Sequence, residues 1–153
     1  MLKNFLRRRF LARLLAIGAW PFATVRAADA PAESVEAMVL KVTGGATVET
    51  GRVKLELPVY ADNGNSVSLK VSVDSPMTLS SHVKSIHIYA ARNPRPNVAN
   101  FYLGPRAGRA QISTRVRLGG SQRVLAVAAL SDGTFWSATA DVVVTLSACY
   151  DAT

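Results

Sequence analysis

The chain has 153 residues, of which 18 are basic and 10 are acidic, and it contains one cysteine. A length of about 100–200 residues is typical of a single domain, and an apolar content of 49% against 18% charged residues excludes general disorder. One cysteine excludes an internal disulfide framework, and with two histidines it leaves too few soft ligands for a zinc site. The composition therefore predicts one folded domain without a metal or another cofactor.

The positive charge is concentrated at the beginning of the chain. Residues 1–27 contain six basic residues and no acid, which leaves 12 basic and 10 acidic residues, a net charge of +2, for residues 28–153. The net charge of +8 for the whole chain is therefore not a sign of nucleic-acid binding. Neither a recognition helix nor an array of stacking aromatic residues is evident in the sequence, so we expect no nucleic-acid partner.

The first segment has the pattern of a twin-arginine (Tat) export signal, an address that is read by a receptor. The motif comprises Arg7, Arg8, Phe10 and Leu11. The apolar stretch that follows is shorter than the roughly 20 residues of a transmembrane helix. Small residues at the −3 and −1 positions place cleavage between Ala27 and Ala28. We therefore predict that residues 1–27 are a cleaved Tat signal peptide and that residues 28–153 are periplasmic and free of the membrane; an amphipathic membrane anchor is the alternative.

One helix is predicted near the start of residues 28–153. Val35, Met38, Val39 and Val42 repeat at i, i+3, i+4 and i+7 and form one apolar stripe. Proline suits a first helical position and glycine pairs end helices, so the helix is predicted over residues 31–42, from Pro31 to the stop at residues 44–45.

Seven strands are predicted after this helix, because the period of the apolar residues falls to two. They lie within residues 53–57, 67–73, 86–90, 99–103, 112–118, 124–130 and 135–146, separated by turn signals such as Asn63-Gly64-Asn65 and Asp132-Gly133. Trp136 shares its parity with the apolar positions of the last strand and is expected in the core, and Leu146 is expected to be its last buried residue. The pattern indicates an all-β fold, an immunoglobulin-like antiparallel β-sandwich of about seven strands with a short N-terminal helix.

The basic residues of the middle of the chain form a block. Residues 75–131 contain Lys84, seven arginines and no acid. Such a block could attract an anion or an acidic surface of a partner. Alternatively, these are solvated arginines on different faces and loops, and the sequence leaves both readings open.

Few residues suggest chemistry. His82 and His87 are an odd number of positions apart, which would put them on opposite faces of a strand and is unlike a metal pair. No catalytic Ser-His-Asp or Cys-His arrangement follows from the spacing. Cys149 comes three residues after Leu146 and is expected to be exposed on a mobile tail. A functional thiol, an accidental free thiol and a disulfide to a second chain all remain open for it.

Several motifs from Glu49 to Cys149 together resemble the SoxY family of the thiosulfate-oxidising (Sox) system. The motifs are Asn63-Gly64-Asn65, Val73-Asp74-Ser75-Pro76-Met77, Ile86-His87-Ile88, Asn93-Pro94-Arg95-Pro96-Asn97-Val98, Ser113-Thr114-Arg115-Val116-Arg117-Leu118 and Ser131-Asp132-Gly133-Thr134-Phe135-Trp136. The Tat signal and the short helix are also similar to the family.

The resemblance implies a function as well as a fold. SoxY-like proteins are immunoglobulin-like sandwiches that form a heterodimer with a SoxZ-like subunit and are not enzymes by themselves. Their C-terminal cysteine carries a sulfur intermediate covalently and presents it to SoxAX-, SoxB- and SoxCD-like enzymes: a c-type cytochrome, a sulfate-releasing hydrolase and a sulfane dehydrogenase. By position, Cys149 matches the carrier cysteine, and residues 147–153 match the carrier tail.

The end of this chain departs from the family pattern. The family ends in Gly-Gly-Cys-Gly-Gly, whereas this chain ends in Ser147-Ala148-Cys149-Tyr150-Asp151-Ala152-Thr153. Two functions therefore stay open: a periplasmic sulfur carrier of thiosulfate oxidation that is loaded at Cys149, and a diverged SoxY-like binding module without carrier activity.

Overall fold

The structure, a computed structural model, describes residues 33–149. The Tat motif, the cleavage site, Pro31 and the last four residues of the tail lie outside the described residues.

The helix, α1, comprises Val35–Thr43. Ser34 has an extended backbone (φ −66°, ψ 151°), and its hydroxyl accepts a hydrogen bond from the amide of Ala37. Because this N-cap satisfies an amide that the helix leaves free, α1 begins at Val35, and the predicted start at Pro31 is wrong. The predicted stop is confirmed, since Gly44 adopts the left-handed conformation (φ 62°) and donates to the carbonyl of Leu40.

The described residues form nine strands in two sheets that pack as a sandwich. The strands are β1 (Val48–Thr50), β2 (Val53–Glu56), β3 (Tyr60–Asn63), β4 (Val67–Val73), β5 (Val83–Ala90), β6 (Asn97–Tyr102), β7 (Gln111–Val116), β8 (Gln122–Leu130) and β9 (Phe135–Leu146). The larger sheet has the order β1-β9-β8-β5-β6 with β3 also on β9, and the smaller sheet has the order β2-β4-β7. A short 3₁₀ turn (Pro105–Ala107) joins β6 to β7. The predicted all-β, immunoglobulin-like class with one short helix is confirmed.

Two of these strands, β1 and β3, were not predicted, and they make the larger sheet mixed rather than purely antiparallel. Val48 pairs with Phe135 and Tyr60 pairs with Val143, both in parallel register. β1 and β3 have only three and four residues, too few for an alternating pattern to stand out. The twelve residues of β9 give both of them a partner.

The core lies between the two sheets. Alternate residues of β4 are buried, and β8 is buried on both faces over most of its length, as predicted. Trp136 packs against the core, also as predicted. Leu146, by contrast, is 64% exposed, because β9 and its partner β3 both end there and the core stops at Val144.

Candidate functional site

Cys149 is exposed and its thiol is free, which confirms the prediction of an exposed cysteine. The residues that lead to it belong to the folded body. Ala148 is buried, and its amide donates to the carbonyl of Leu118 at 3.0 Å. The amide of Cys149 itself donates to Oδ1 of Asn65 at 3.2 Å. The expected loose tail therefore does not begin at residue 147, and the sulfur is presented at the surface of the sandwich.

Two backbone segments hold residues 147–149, and together we call them the seat. The turn Asn63-Gly64-Asn65 forms one side of it. The amide of Gly64 donates to the carbonyl of Leu146, and its carbonyl accepts from the amide of Leu118. A Cβ atom at position 64 would clash with the carbonyl oxygen of Leu118 and would lie 2.8 Å from the amide nitrogen of Ala148. Glycine is needed at position 64 because three backbone segments meet there.

The side chain of Asn65 is oriented by its neighbour in the same turn. Oδ1 of Asn63 accepts from the backbone amide of Asn65 at 2.9 Å and from its side-chain Nδ2 at 3.1 Å. The remaining polar atom, Oδ1 of Asn65, is the one that receives the amide of Cys149. The sequence predicts this turn but gives no sign that it holds the cysteine.

The other side of the seat is the connection between β7 and β8. Hydrogen bonds from the side chain of Asn93 hold the backbone of this connection. Oδ1 of Asn93 accepts from the amide of Gly119 and from Nε2 of Gln122, both at 2.9 Å. Nδ2 of Asn93 donates to the carbonyl of Arg117 at 2.8 Å. Asn93 is buried, and its bonds to residues 117 and 119 hold the backbone on either side of Leu118, whose carbonyl accepts from the amide of Ala148. Its place in the Asn93-Pro94-Arg95-Pro96 motif was the only sequence signal for this role.

The arginines of residues 75–131 are divided between the two readings that the sequence left open. Arg92 donates to the carbonyl of Ser121 at 2.7 Å, and Arg123 forms a two-point pair with Asp141 at 2.9 and 3.2 Å. These two are engaged locally. Arg95, Arg115 and Arg117 instead line one cleft.

The histidines are separate, as predicted. His82 precedes β5, and His87 lies within it. Nε2 of His87 is 3.0 Å from the hydroxyl of Ser85, and its Nδ1 is 2.8 Å from Oδ1 of Asn100. This order of groups is like that of a hydrolase triad. However, Ser85 and His87 are 8% and 7% exposed, so a substrate carbonyl has no access to the hydroxyl. We assign the three residues to packing of the sheet.

Within residues 33–149, no three His, Cys, Asp or Glu side chains come together as a metal-binding group. No helix in the same range has the length and apolar character that a membrane crossing requires.

The fold and the site define a β-sandwich protein whose single thiol is displayed at the C-terminal end of the domain. A family model described as "Sulfur oxidation protein SoxY" matches residues 39–149. The match covers well over half of the chain, and the chain belongs to the SoxY family. It is therefore a SoxY-type protein of sulfur oxidation, and the family implies a partner from the Sox system. No curated protein matches the sequence significantly.

Solved structures share the fold. The sulfur carrier protein SoxY from Chlorobium limicola f thiosulfatophilum is 23% identical with a TM-score of 0.62, and the match covers 74% of this chain and 97% of that chain. A superoxide reductase (neelaredoxin) from Ignicoccus hospitalis is 16% identical with a TM-score of 0.57, covering 63% of this chain and 94% of that one. A putative superoxide reductase from Thermotoga maritima is 18% identical with a TM-score of 0.54, covering 63% and 93%. At these identities the likeness concerns the fold alone.

Proposed function

We propose that this protein is a non-catalytic carrier that holds sulfur intermediates of thiosulfate oxidation covalently on Cys149. The observation that supports the proposal is the position of that thiol. Cys149 is the only cysteine, it is exposed, and it closes the region that matches the family. A side chain used as a covalent handle must be accessible to several enzymes in turn, and the exposure of Cys149 is consistent with that use.

The chemistry of loading is that of a sulfur–sulfur bond. The thiolate of Cys149 is the nucleophile, and the bond forms between its Sγ and a sulfane sulfur. Joining a thiol to the sulfane sulfur of a thiosulfate-like anion releases one proton and two electrons. We assign the electrons to a SoxAX-like c-type cytochrome. SoxB-like hydrolysis and SoxCD-like oxidation would then act on the bound group while Cys149 keeps its bond to sulfur.

The seat limits how far the sulfur reaches. Ala148 and Cys149 each hold the body by one amide hydrogen bond. At about 0.5–1.5 kcal/mol for each bond, releasing both costs about 1–3 kcal/mol. The docked arrangement therefore dominates in the free protein. A partner enzyme must either bring its active site to the turn Asn63-Gly64-Asn65 or supply the free energy that releases residues 147–149.

Intact mass spectrometry tests the carrier function. The protein is purified from cells grown on thiosulfate, and its mass is compared with that of the Cys149→Ser variant. We expect adducts of sulfur or thiosulfonate mass on the natural chain, lost after treatment with a reducing agent and missing from Cys149→Ser. A thiol that is unmodified or only dimerised, in a protein that still pairs with its partner, would favour a binding module instead.

We further propose export to the periplasm by the Tat pathway, on the strength of Arg7, Arg8, Phe10 and Leu11 in the sequence. Arg9 adjoins the pair and could replace one of its members, so the decisive variant is Arg7→Lys, Arg8→Lys and Arg9→Lys together. We expect the precursor of this variant to stay in the cytoplasm, while the natural chain yields a periplasmic protein that starts near Ala28. Periplasmic mature protein from the triple variant would rule out the Tat route.

A further inference from the structure

A cleft runs between the outer edges of the two sheets. β6 is the last strand of the larger sheet and pairs only with β5, while β7 is the last strand of the smaller sheet and pairs only with β4, among the described residues. The cleft between them has a volume of about 400 Å³. Neither strand pairs with a further described strand on this side, and such an edge can receive another strand. The carbonyl of Arg117, just after β7, is already bonded to Nδ2 of Asn93, so backbone pairing with a new strand concerns β7 up to Val116, and Arg117 contributes its side chain.

The charged side chains that line this cleft are all positive. Arg95, Arg115 and Arg117 line it and are all exposed. The described lining contains neither Asp nor Glu, and residues 75–131 contain no acid. One nitrogen of Arg115 donates to the hydroxyl of Ser66 at 3.2 Å, which leaves the rest of its guanidinium donors for other acceptors. The cleft is thus complementary to carboxylates.

The spacing of two of these arginines matches that of a strand. Arg115 lies in β7 and Arg117 follows it, so both point away from the core, roughly 6.6–6.8 Å apart along the chain. Val116 between them points inward and is buried, and Val98 of β6 lies across the cleft, half-buried. A strand added to β7 would place residues i and i+2 opposite the arginines and residue i+1 toward the two valines.

We propose that this cleft binds an extended acidic segment of a partner protein, which adds as a strand to β7 with acidic residues opposite Arg115 and Arg117 and apolar residues between them. A single small oxyanion fits less well, because exposed guanidiniums bind it weakly in salt and the three arginines are spread over β7, the residue after it and the loop before β6. The proposal concerns an interaction surface and does not depend on whether Cys149 carries sulfur.

Fluorescence anisotropy with a labelled peptide tests this site in the mature chain, residues 28–153. The probe is a capped nine-residue peptide in which glutamate alternates with valine. We expect the variant Arg115→Gln/Arg117→Gln to bind it about 5- to 30-fold more weakly than the natural chain. The matched control is Arg106→Gln/Arg109→Gln, which removes the same charge from exposed positions in the connection at the other end of β6 and β7. An equal loss in both variants, or no binding to the natural chain, overturns the proposal.

Two further measurements separate strand addition from simple attraction. A peptide with the same sequence but N-methylated at alternate residues, in both possible phases, keeps the charge and blocks backbone pairing. We expect one phase to bind at least about tenfold more weakly. Equal binding of both methylated peptides overturns strand addition. Displacement of the probe by sulfate far beyond that by chloride of equal ionic strength would assign the arginines to a small oxyanion and likewise overturn the proposal.

Discussion

At the scale of single residues, Gly64 decides how the cysteine is presented. It is the point where the turn Asn63-Gly64-Asn65, the connection around Leu118 and the segment of Ala148 approach one another closely. Any side chain there must push one of these backbones away. The position of the Cys149 thiol thus depends on the lack of a Cβ atom at Gly64, 85 residues earlier in the chain.

Gly64→Ala is predicted to displace residues 147–149. The new Cβ would clash with the carbonyl oxygen of Leu118, so the backbone has to move. We expect the free energy of unfolding to fall by about 1–3 kcal/mol and the amide of Ala148 to exchange its hydrogen at least about tenfold faster. Urea denaturation and hydrogen exchange by NMR measure the two effects.

Gly104→Ala is the matched control, because no atom lies within 4 Å of a Cβ at that position and its backbone is extended. It should change stability by no more than about 0.5 kcal/mol. If Gly64→Ala leaves the amide of Ala148 as protected as in the natural chain, the seat described for this segment is wrong.

The residue scale also shows where sequence reasoning stops. The turn at residues 63–65 is local chemistry, and the sequence predicts it. Exposure of Cys149 follows from its place beyond the last strand. The contact between Asn65 and Cys149 joins residues 84 positions apart, and no periodicity or turn signal carries that information.

At the scale of elements, Asn93 ties the loop after β5 to the connection that joins the two sheets. It bonds to residues 117 and 119 between β7 and β8 and to Gln122, the first residue of β8. We predict that Asn93→Ala lowers the free energy of unfolding by about 1–3 kcal/mol, because the part-buried carbonyl of Arg117 and amide of Gly119 lose the partner that Asn93 provides. Asn97→Ala, at an exposed position nearby, should cost far less. Equal urea midpoints for the two variants would contradict this role for Asn93.

The hairpin between β8 and β9 contains a carboxylate, Asp132, whose contribution to stability depends on pH. Oδ1 of Asp132 accepts from the hydroxyl of Thr134 at 2.7 Å and from its amide at 2.9 Å, and these bonds hold the pKa of Asp132 below its usual value of 3.8. A lowered folded-state pKa gives stability that is present above the unfolded-state pKa and is lost as the pH falls through the folded-state pKa.

Asp132→Asn keeps an acceptor oxygen but removes this charge. We expect the small stability advantage of the natural chain over Asp132→Asn to be constant from about pH 7 to pH 5 and to vanish toward about pH 2. Urea denaturation of both proteins over this range measures it. An advantage that grows on acidification would contradict the assignment, since the sign would be reversed.

The strands that were predicted and those that were missed differ in a physical way. β4 and β8 contain seven and nine residues whose burial follows their own sequence pattern. β1 and β3 are strands because β9 extends past them and offers its edge, so their existence depends on tertiary contact. The start of α1 was missed for a local reason, since the serine cap outweighed a proline that also suits a helix start.

At the scale of the whole molecule, we expect a heterodimer with a SoxZ-like subunit. The family implies such a partner. The cleft with Arg95, Arg115 and Arg117 gives this chain a positively charged surface. Size-exclusion chromatography of the co-expressed pair should show one complex that survives a reducing agent. Dissociation at moderate salt would assign the interface to the arginines, and resistance to salt would assign it to an apolar face. A monomer under both conditions would contradict the pairing.

The block of arginines shows what the whole sequence predicts and what it leaves out. A segment of 57 residues without an acid is visible by counting. Which arginines share a surface is not, because Arg95 lies in the loop between β5 and β6 of the larger sheet, Arg115 lies in β7 of the smaller sheet, and the two meet only when the sandwich closes.

The bond between the amide of Cys149 and Asn65 has a consequence for affinity. If a partner enzyme accepts only the released segment, it must select a minor population of the carrier. A release cost of about 1–3 kcal/mol then weakens the apparent affinity roughly 5- to 150-fold relative to a carrier that is already open. Such a carrier binds each enzyme more weakly than an open one would, and the strength of the bond to Asn65 sets part of that difference in affinity.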